Sequence, residues 1–130
     1  MSKLVPTGNP FLDQYKFMQA CDQHVTGNDA QYQMYLNLIA EEVQELTDAV
    51  TANDRVEQLD ALVDILVVTI GAIRSAGFNG EAAWNEVMRT NFAKIDPVTG
   101  KVRKREDGKV LKPEGWTPPN LEPFTSMPNE

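Results

Sequence analysis

Apolar residues recur at helical spacing through the first three-quarters of the chain and predict four α-helices. Asn9 followed by Pro10 is typical of a helix N-cap with proline in the first turn. Gly27 and Gly77 mark two of the breaks between helices. The predicted helices span residues 10 to about 23, 30 to about 51, 53 or 54 to about 77, and 79 to between 92 and 95. We therefore expect an all-α fold whose core resembles a four-helix bundle.

The helical pattern stops after residue 96. Thr-Gly and Asp-Gly pairs flanked by Val and Leu predict a short hairpin, and prolines then dominate the C-terminal tail. We assign residues 1–96 to the helical core and residues 97–130 to the hairpin and tail. A chain of 130 residues is expected to form one domain that contains both parts.

The most apolar stretch of the chain is residues 60–73, which read DALVDILVVTIGAI. Wound as a helix, it has no polar side, so we expect it to be buried nearly all round. A lone four-helix unit would leave too much of it exposed. The pattern therefore predicts a homodimer or a homotetramer in which subunits bury this surface together.

Two aspartates interrupt this apolar stretch. Asp60 and Asp64 are four residues apart, which puts both carboxylates on one face of the helix. An unpaired carboxylate in apolar surroundings costs several kcal/mol or gives up its charge. Either a Lys or Arg from a neighbouring helix pairs with them, or they bind a cation.

A second acidic pair lies on the preceding helix. Glu42 and Glu45 are three residues apart, at the edge of an apolar stripe. Alone, this pair is weak evidence, because surface helices are rich in glutamate. The short link between the helices implies antiparallel packing, which sets the middle of one helix against the start of the next. We therefore expect four carboxylates, Glu42, Glu45, Asp60 and Asp64, to face a common point.

Carboxylates without other ligand types suit Mg²⁺ or Mn²⁺. A di-iron carboxylate bundle is the competing possibility, but it requires Glu-x-x-His pairs. The single histidine, His24, does not belong to any such pair, and we expect it at a helix end or in a loop.

The net charge of −7 is unevenly distributed. Residues 94–112 hold seven of the 12 Lys and Arg against three acids, a local charge of +4 that leaves −11 on the remainder. An acidic body is a poor partner for a nucleic-acid polymer. The basic segment is expected to fold onto the body or onto a bound anion, the alternative being a solvated tail.

Cys21 is the only cysteine, so an internal disulfide is impossible and a reducing compartment is the default. The first ten residues lack an apolar run of signal-peptide length, and no apolar stretch is long enough to span a bilayer. We expect a cytoplasmic protein without a membrane partner.

Four motifs in order carry a family resemblance: EEVQE, DALVDILVVTIGAI, EVMRTNFAKID and GKVRKREDGKVLKP. Over residues 32–113 they resemble the MazG-like, phosphoribosyl-ATP pyrophosphohydrolase-type superfamily of all-α nucleoside triphosphate pyrophosphohydrolases. The family signature is E-E-x-x-E followed by E-x-x-D. Glu42 and Glu45 match its first part and Asp64 its last aspartate. Ala61 stands where the second motif has Glu, and Asp60, one residue earlier, is the expected substitute.

The resemblance implies hydrolysis of a nucleoside triphosphate to a monophosphate and pyrophosphate, with Mg²⁺ between the carboxylates and the triphosphate. Asn91 and Lys94 match an N-x-x-K pair that contacts sugar or phosphate. A helix-capping Asn and a solvated Lys are the alternative. Lys109 and Lys112 are expected to reach the phosphates from the hairpin, or to bind a neighbouring acidic surface.

Residue types at two places suit recognition of the base. Aromatic faces and an amide favour stacking and edge recognition. The candidates are Tyr32, Tyr35 and Asn37 at the start of the second helix and Trp84 on the fourth, although a Trp such as Trp84 is more often a core residue.

The short build and basic hairpin resemble bacteriophage members of the superfamily, for which a purine deoxynucleotide such as dGTP is the expected substrate and the host cytoplasm the expected location. One alternative is a phosphoribosyl-ATP pyrophosphohydrolase of histidine synthesis. Another is a non-catalytic helical module that binds a nucleotide or a protein.

Overall fold

The computed structural model describes residues 3–127, and within them the regular structure is helical. Four α-helices and one short 3₁₀ helix follow one another: α1 Pro10–Ala20, α2 Asp29–Thr51, α3 Arg55–Ser75, α4 Gly80–Phe92 and the 3₁₀ helix Glu122–Phe124. The all-α prediction is confirmed. The boundaries of α2 and α3 agree with the expected ones to within about two residues.

Side-chain caps fix where the first three helices begin. The Asn9 side chain accepts hydrogen bonds from the N–H groups of Phe11 and Leu12, Asn28 caps α2, and Asp54 caps α3. Helix α1 ends three residues earlier than expected, because Asp22 takes a left-handed conformation with φ of 56°. This turn lets the Gln23 N–H donate to the Met18 carbonyl at 3.0 Å and satisfies a terminal carbonyl. His24 lies in the loop that follows, as predicted.

The chain divides into two compact units. The described part of the first comprises residues 3–80 and 126–127, and the second comprises residues 81–125. The sequence placed its boundary near residue 96 and expected one domain, and that organisation stays a prediction.

The first unit is built on the packing of α2 against α3, with α1 also contacting α3. Buried Met18, Tyr35 and Ala72 form its centre. The Tyr35 ring lies directly over Gly71, where a Cβ would overlap it. A glycine in mid-helix weakens the helix locally, and here it allows α2 and α3 to approach closely.

Polar contacts at both ends show that α2 and α3 run antiparallel. Gln31, near the start of α2, donates to the Ser75 hydroxyl at 2.7 Å, at the end of α3. The same amide nitrogen donates to the His24 carbonyl at 2.6 Å. At the opposite end, the Gln58 side chain donates to the Ala49 carbonyl at 3.4 Å. The predicted antiparallel pair is therefore present.

Helix α3 is not buried all round in the single chain, as expected for a lone four-helix unit, and its burial between subunits stays a prediction. α1 and α2 cover one side of the helix, and the opposite side exposes Val56, Leu59, Leu62, Val63 and Leu66. Leu59 is 64% exposed and Leu66 is 59% exposed. The hydrophobic pattern reports where water is unfavourable, but not whether the covering surface comes from the same chain.

The second unit combines α4 with the basic segment and part of the tail. Two isolated antiparallel bridges, Ile95–Val102 and Lys104–Val110, stand where a hairpin was predicted. Gly100 and Gly108 take positive φ in the two turns. The Trp116 indole N–H donates to the Thr90 carbonyl at 2.7 Å. The Glu86 carboxylate accepts from the Asn120 N–H at 2.8 Å.

Across residues 3–127, no single helix is both long enough and apolar enough to cross a membrane.

Candidate functional site

The candidate site is a group of carboxylates on the facing surfaces of α2 and α3. Glu42 and Glu45 lie one turn apart on α2, and Asp60 and Asp64 lie one turn apart on α3. Glu42 and Asp64 are partly buried, whereas Glu45 and Asp60 are exposed. The middle of α2 thus meets the first half of α3, as the antiparallel pairing requires.

Glu42 is the most perturbed group in this cluster. Its Oε2 atom is buried and has no hydrogen-bond partner among the described residues. Burial raises the pKa of Glu42, as do a hydrogen bond shared with the Glu45 carboxyl group and the charges of Glu45, Asp64 and Asp60. The site therefore holds an ionisable oxygen that the folded chain itself does not satisfy.

Asp64 is perturbed in the same direction. Burial raises the pKa of Asp64, and the charges of Asp60 and Glu45 raise it further. Glu45, Asp60 and Asp64 therefore lie within electrostatic reach of Glu42, and Asp60 and Glu45 also lie within reach of Asp64. The ionised cluster is unfavourable unless a positive charge compensates it.

In the part of the chain that the structure describes, no basic side chain forms an ion pair that supplies that charge. Within residues 3–127, the ion pairs are Arg89 with Glu86 and Arg105 with Asp107, and none involves the four acids. Pairing with Lys or Arg, the alternative that the sequence left open, is therefore absent from the described structure.

The donors fit a hard divalent cation in type and in charge. They are all carboxylate oxygens, and one of them is buried without a partner. Across the described residues, no group of three or more acidic, histidine or cysteine side chains forms a ready-made ligand set. The side chains would therefore have to adjust their rotamers around an ion.

The residues expected to hold the base have different environments. Tyr35 is only 4% exposed, and its hydroxyl donates to the Gln23 side chain at 2.5 Å. Burial raises the pKa of Tyr35. Its ring packs on Gly71 and does not face solvent. Asn37 is exposed on α2, and Tyr32 makes an edge-to-face contact with Phe78.

Trp84 on α4 is 58% exposed, so it is not the core residue that its type suggested.

The predicted phosphate-binding residues lie in the second unit. The Lys94 ammonium donates to the Asn91 side-chain oxygen at 3.1 Å. It also lies 5.2 Å from the centroid of the Trp116 ring. The Lys112 ammonium lies 4.7 Å from the same centroid. Lys94 is partly buried and held in place, so the alternative of a freely solvated lysine does not apply.

Lys109 is exposed in the turn that follows Asp107. Its backbone N–H donates to the Asp107 carboxylate at 3.1 Å. Sequence reasoning did not single out Trp116, and its only signal was an aromatic residue shortly after Lys112.

An all-α chain that gathers uncompensated carboxylates from two adjacent helices belongs, as a class, with hydrolases that handle phosphates through divalent cations. Comparison with known families makes the assignment specific. The phosphoribosyl-ATP pyrophosphohydrolase family model matches residues 18–91, more than half of the chain. The chain belongs to this family, which lies in the MazG-like superfamily of all-α NTP pyrophosphohydrolases.

The protein is therefore a pyrophosphohydrolase, an enzyme that hydrolyses phosphoric anhydrides, and its family is generally dependent on divalent metals. The matched residues include all four acids and Asn91, but not Lys94, Lys109, Lys112 or Trp116. No individual curated protein matches the chain.

Proposed function

We propose that this enzyme hydrolyses a nucleoside or deoxynucleoside triphosphate to the monophosphate and pyrophosphate, using Mg²⁺ or Mn²⁺ held by Glu42, Glu45, Asp60 and Asp64. The observation that carries the proposal is the buried Glu42 oxygen, which has three further acids nearby and, within residues 3–127, neither a hydrogen-bond partner nor an ion pair with Lys or Arg. A purely structural cluster would gain stability from a basic partner or from amide side chains.

A bound divalent cation would neutralise charge on the phosphoryl oxygens and lower the pKa of an attacking water. The chain's own contribution is to place ionised carboxylates. Glu42 and Asp64, whose pKa values are raised, give up their protons more readily when a cation binds. Glu45 and Asp60, exposed at the edge of the cluster, would supply the remaining carboxylate oxygens that hold the cation.

Four residues of the second unit are proposed to bind the phosphate chain: Asn91, Lys94, Lys109 and Lys112. Asn91 holds the Lys94 ammonium by a hydrogen bond, and Lys112 lies over the same tryptophan as Lys94. Lys109 adds exposed positive charge from the next turn. These groups favour a polyanion over a neutral substrate.

For the base, we propose Asn37 as an edge-recognition residue, because its amide is exposed on the same helix as Glu42 and Glu45. Tyr35 supports this helix from the core side and is not proposed to touch the base. A purine deoxynucleotide such as dGTP is the first substrate to test.

The matched family favours a second candidate, phosphoribosyl-ATP. Both substrates contain the same anhydride and require the same acids. The ratio of the kcat/KM values for triphosphates and for phosphoribosyl-ATP distinguishes the two candidate functions. Complementation of a histidine auxotroph tests the phosphoribosyl-ATP candidate independently.

We also propose that the enzyme is a homodimer or homotetramer whose subunits cover the exposed side of α3. That side borders a groove of about 520 Å³ lined by apolar residues that include Val63, Leu66 and Ile70. Exposed apolar surface of this kind marks protein interfaces. Light scattering should give a multiple of 14.5 kDa for the wild-type chain. The Leu66→Glu variant should give a smaller multiple.

The central test is pyrophosphate release from a panel of triphosphates with and without Mg²⁺. Turnover should require the metal and be abolished by Asp64→Asn. The matched control is Glu41→Gln, which removes one negative charge from an exposed position on α2 and should retain turnover. Absence of turnover with every nucleotide would instead favour the non-catalytic binding module.

A further inference from the structure

Two ammonium groups lie over the ring of Trp116 in the second unit. The Lys94 and Lys112 ammonium nitrogens lie 5.2 and 4.7 Å from the centroid of its ring. Both distances are within the range of a cation–π interaction. One ring therefore holds two like charges that would otherwise repel each other.

The ring itself is fixed from the other side. Its indole N–H donates to the Thr90 carbonyl at 2.7 Å, and Thr90 is buried on α4. Lys94 is fixed a second time by its hydrogen bond to Asn91. Trp116 is partly buried, so the orientation of the ring is set by packing as well as by this hydrogen bond.

The positive charge of the pair is uncompensated. Over residues 3–127, neither Lys94 nor Lys112 forms an ion pair with a carboxylate. Holding two ammonium groups at one ring without an acid is unfavourable for the free protein, and an anion with two charged ends would relieve it.

Space for the end of such an anion that Lys94 would bind lies beside that residue, in a cavity that neither Lys112 nor Trp116 lines. This cavity of about 320 Å³ is lined by Lys94, Arg103 and Leu111, and also by the acids Asp96 and Glu114. Asp96 is already engaged, since its Oδ1 atom accepts from the Val98 N–H at 2.8 Å.

From this arrangement we propose that Trp116 is a positioning residue that holds Lys94 and Lys112 as a paired binding site for a pyrophosphate group. The assignment rests on the proposed function, in which the two lysines bind phosphates, and adds the tryptophan that arranges them. When pyrophosphate binds, each ammonium group donates to phosphate oxygens while it stays in contact with the ring, so Trp116 keeps the two lysines close enough to act together.

Inorganic pyrophosphate titrated into the full chain with a chelator present tests this directly, because neither turnover nor metal is involved. Calorimetry should show that Trp116→Leu and Lys112→Met each weaken binding by about three- to tenfold. Trp116→Phe keeps an aromatic face and should bind within about twofold of wild type. Lys104→Met removes the same charge from an exposed position in the same segment and should bind like wild type.

A double variant distinguishes positioning from general destabilisation. If Trp116 acts by positioning Lys112, the two losses should not add. The double variant Trp116→Leu/Lys112→Met should then have an affinity for pyrophosphate within about twofold of that of the weaker-binding single variant. The proposal would be contradicted if the losses of affinity in the two single variants multiplied in the double variant. It would also be contradicted if Trp116→Leu bound pyrophosphate like wild type, or if Lys104→Met lost as much affinity as Lys112→Met.

A spectroscopic measurement keeps the test decisive if Trp116→Leu misfolds. The Trp84→Phe variant leaves Trp116 as the only tryptophan, and its emission should change on saturation with pyrophosphate. Unchanged emission, or no pyrophosphate binding by the wild-type chain, would overturn the proposal. If the protein releases pyrophosphate from nucleotides but fails these tests, only the proposed role of Trp116 is rejected. If it passes these tests but hydrolyses no nucleotide, only the proposed reaction is rejected.

Discussion

Replacing Glu42 by Gln should make the metal-free chain more stable and weaken its binding of divalent cations. The reason is that the Glu42 Oε2 atom is buried without a partner beside three other acids. Glutamine has nearly the same shape, carries no charge, and can donate a hydrogen bond to Glu45. The substitution therefore removes the unfavourable charge without creating a cavity.

The effect should depend on pH. The pKa of Glu42 in the folded chain is raised above its ordinary value of 4.5, so between these two values the folded state binds more protons than the unfolded state. The stability associated with Glu42 is therefore fully present below pH 4.5 and is lost as the pH rises through the folded pKa. Wild type and Glu42→Gln should be alike near pH 4 and diverge toward pH 8.

At pH 7.5 the expected gain is about 0.5–2 kcal/mol, the range typical of a single stabilising substitution such as one that optimises charge. For a chain of this length it corresponds to a rise in Tm of roughly 2–6 °C. The control is Glu41→Gln, which gives the same change in net charge at an exposed position on the same helix and should shift the free energy of unfolding by less than about 0.5 kcal/mol.

Thermal unfolding with and without Mn²⁺ measures both parts of this prediction. At about 100 times its dissociation constant for the wild type, Mn²⁺ should stabilise the wild type by about 2.7 kcal/mol. At the same concentration and with tenfold weaker affinity, Glu42→Gln should gain about 1.4 kcal/mol, so its lead in stability over the wild type should fall by about 1.3 kcal/mol. If metal-free Glu42→Gln is no more stable than Glu41→Gln at pH 7.5, Glu42 is compensated and the reasoning is refuted.

Three further predictions concern the site and its support. Asp64→Asn should lower kcat/KM for pyrophosphate release by about a hundredfold or more, and an unchanged rate would exclude Asp64 from the site. Because the Asp64 pKa is raised, the Mn²⁺ affinity of the wild type should also fall as the pH drops through that pKa. Gly71→Ala forces a methyl group against the Tyr35 ring and should lower the free energy of unfolding by about 1–3 kcal/mol, measured with urea. An unchanged free energy of unfolding would show that the ring is free to move. Gln31→Ala leaves the Ser75 hydroxyl without its donor and should also cost about 1–3 kcal/mol in the same assay, whereas a change under 0.5 kcal/mol would mean that water replaces the amide.

The local structure of the helices could be predicted from the sequence because its signals are local. Asn28 and Asp54 cap α2 and α3 within the chain itself, and the apolar stripe of α2 has helical period. The early end of α1 was missed because a left-handed Asp22 carries little sequence signal.

The pairing of acids across α2 and α3 was also predictable, because a three-residue link fixes the direction of the second helix. The sequence could not predict whether those acids have basic partners, since any lysine or arginine of the chain could have approached them. The core position of Tyr35 depends on its contact with Gly71, thirty-six residues away, which the local pattern does not encode.

Trp116 shows the same limit. Lys94 precedes Lys112 by 18 residues and Trp116 by 22 residues, and only the fold of the second unit brings the two ammonium groups to one ring. The sequence predicted that a single chain would leave part of α3 exposed, but only the structure shows which residues form that exposed side.

The account depends on the carboxylates of α2 and α3 acting together as a divalent-cation site. Titration of Mn²⁺, followed by electron paramagnetic resonance of the free ion, measures this without requiring turnover or a known substrate. We expect binding by the wild type and by Glu41→Gln, and binding at least tenfold weaker in Glu42→Gln and in Asp64→Asn. Equal Mn²⁺ binding by all four proteins would place any metal elsewhere and contradict the central claim.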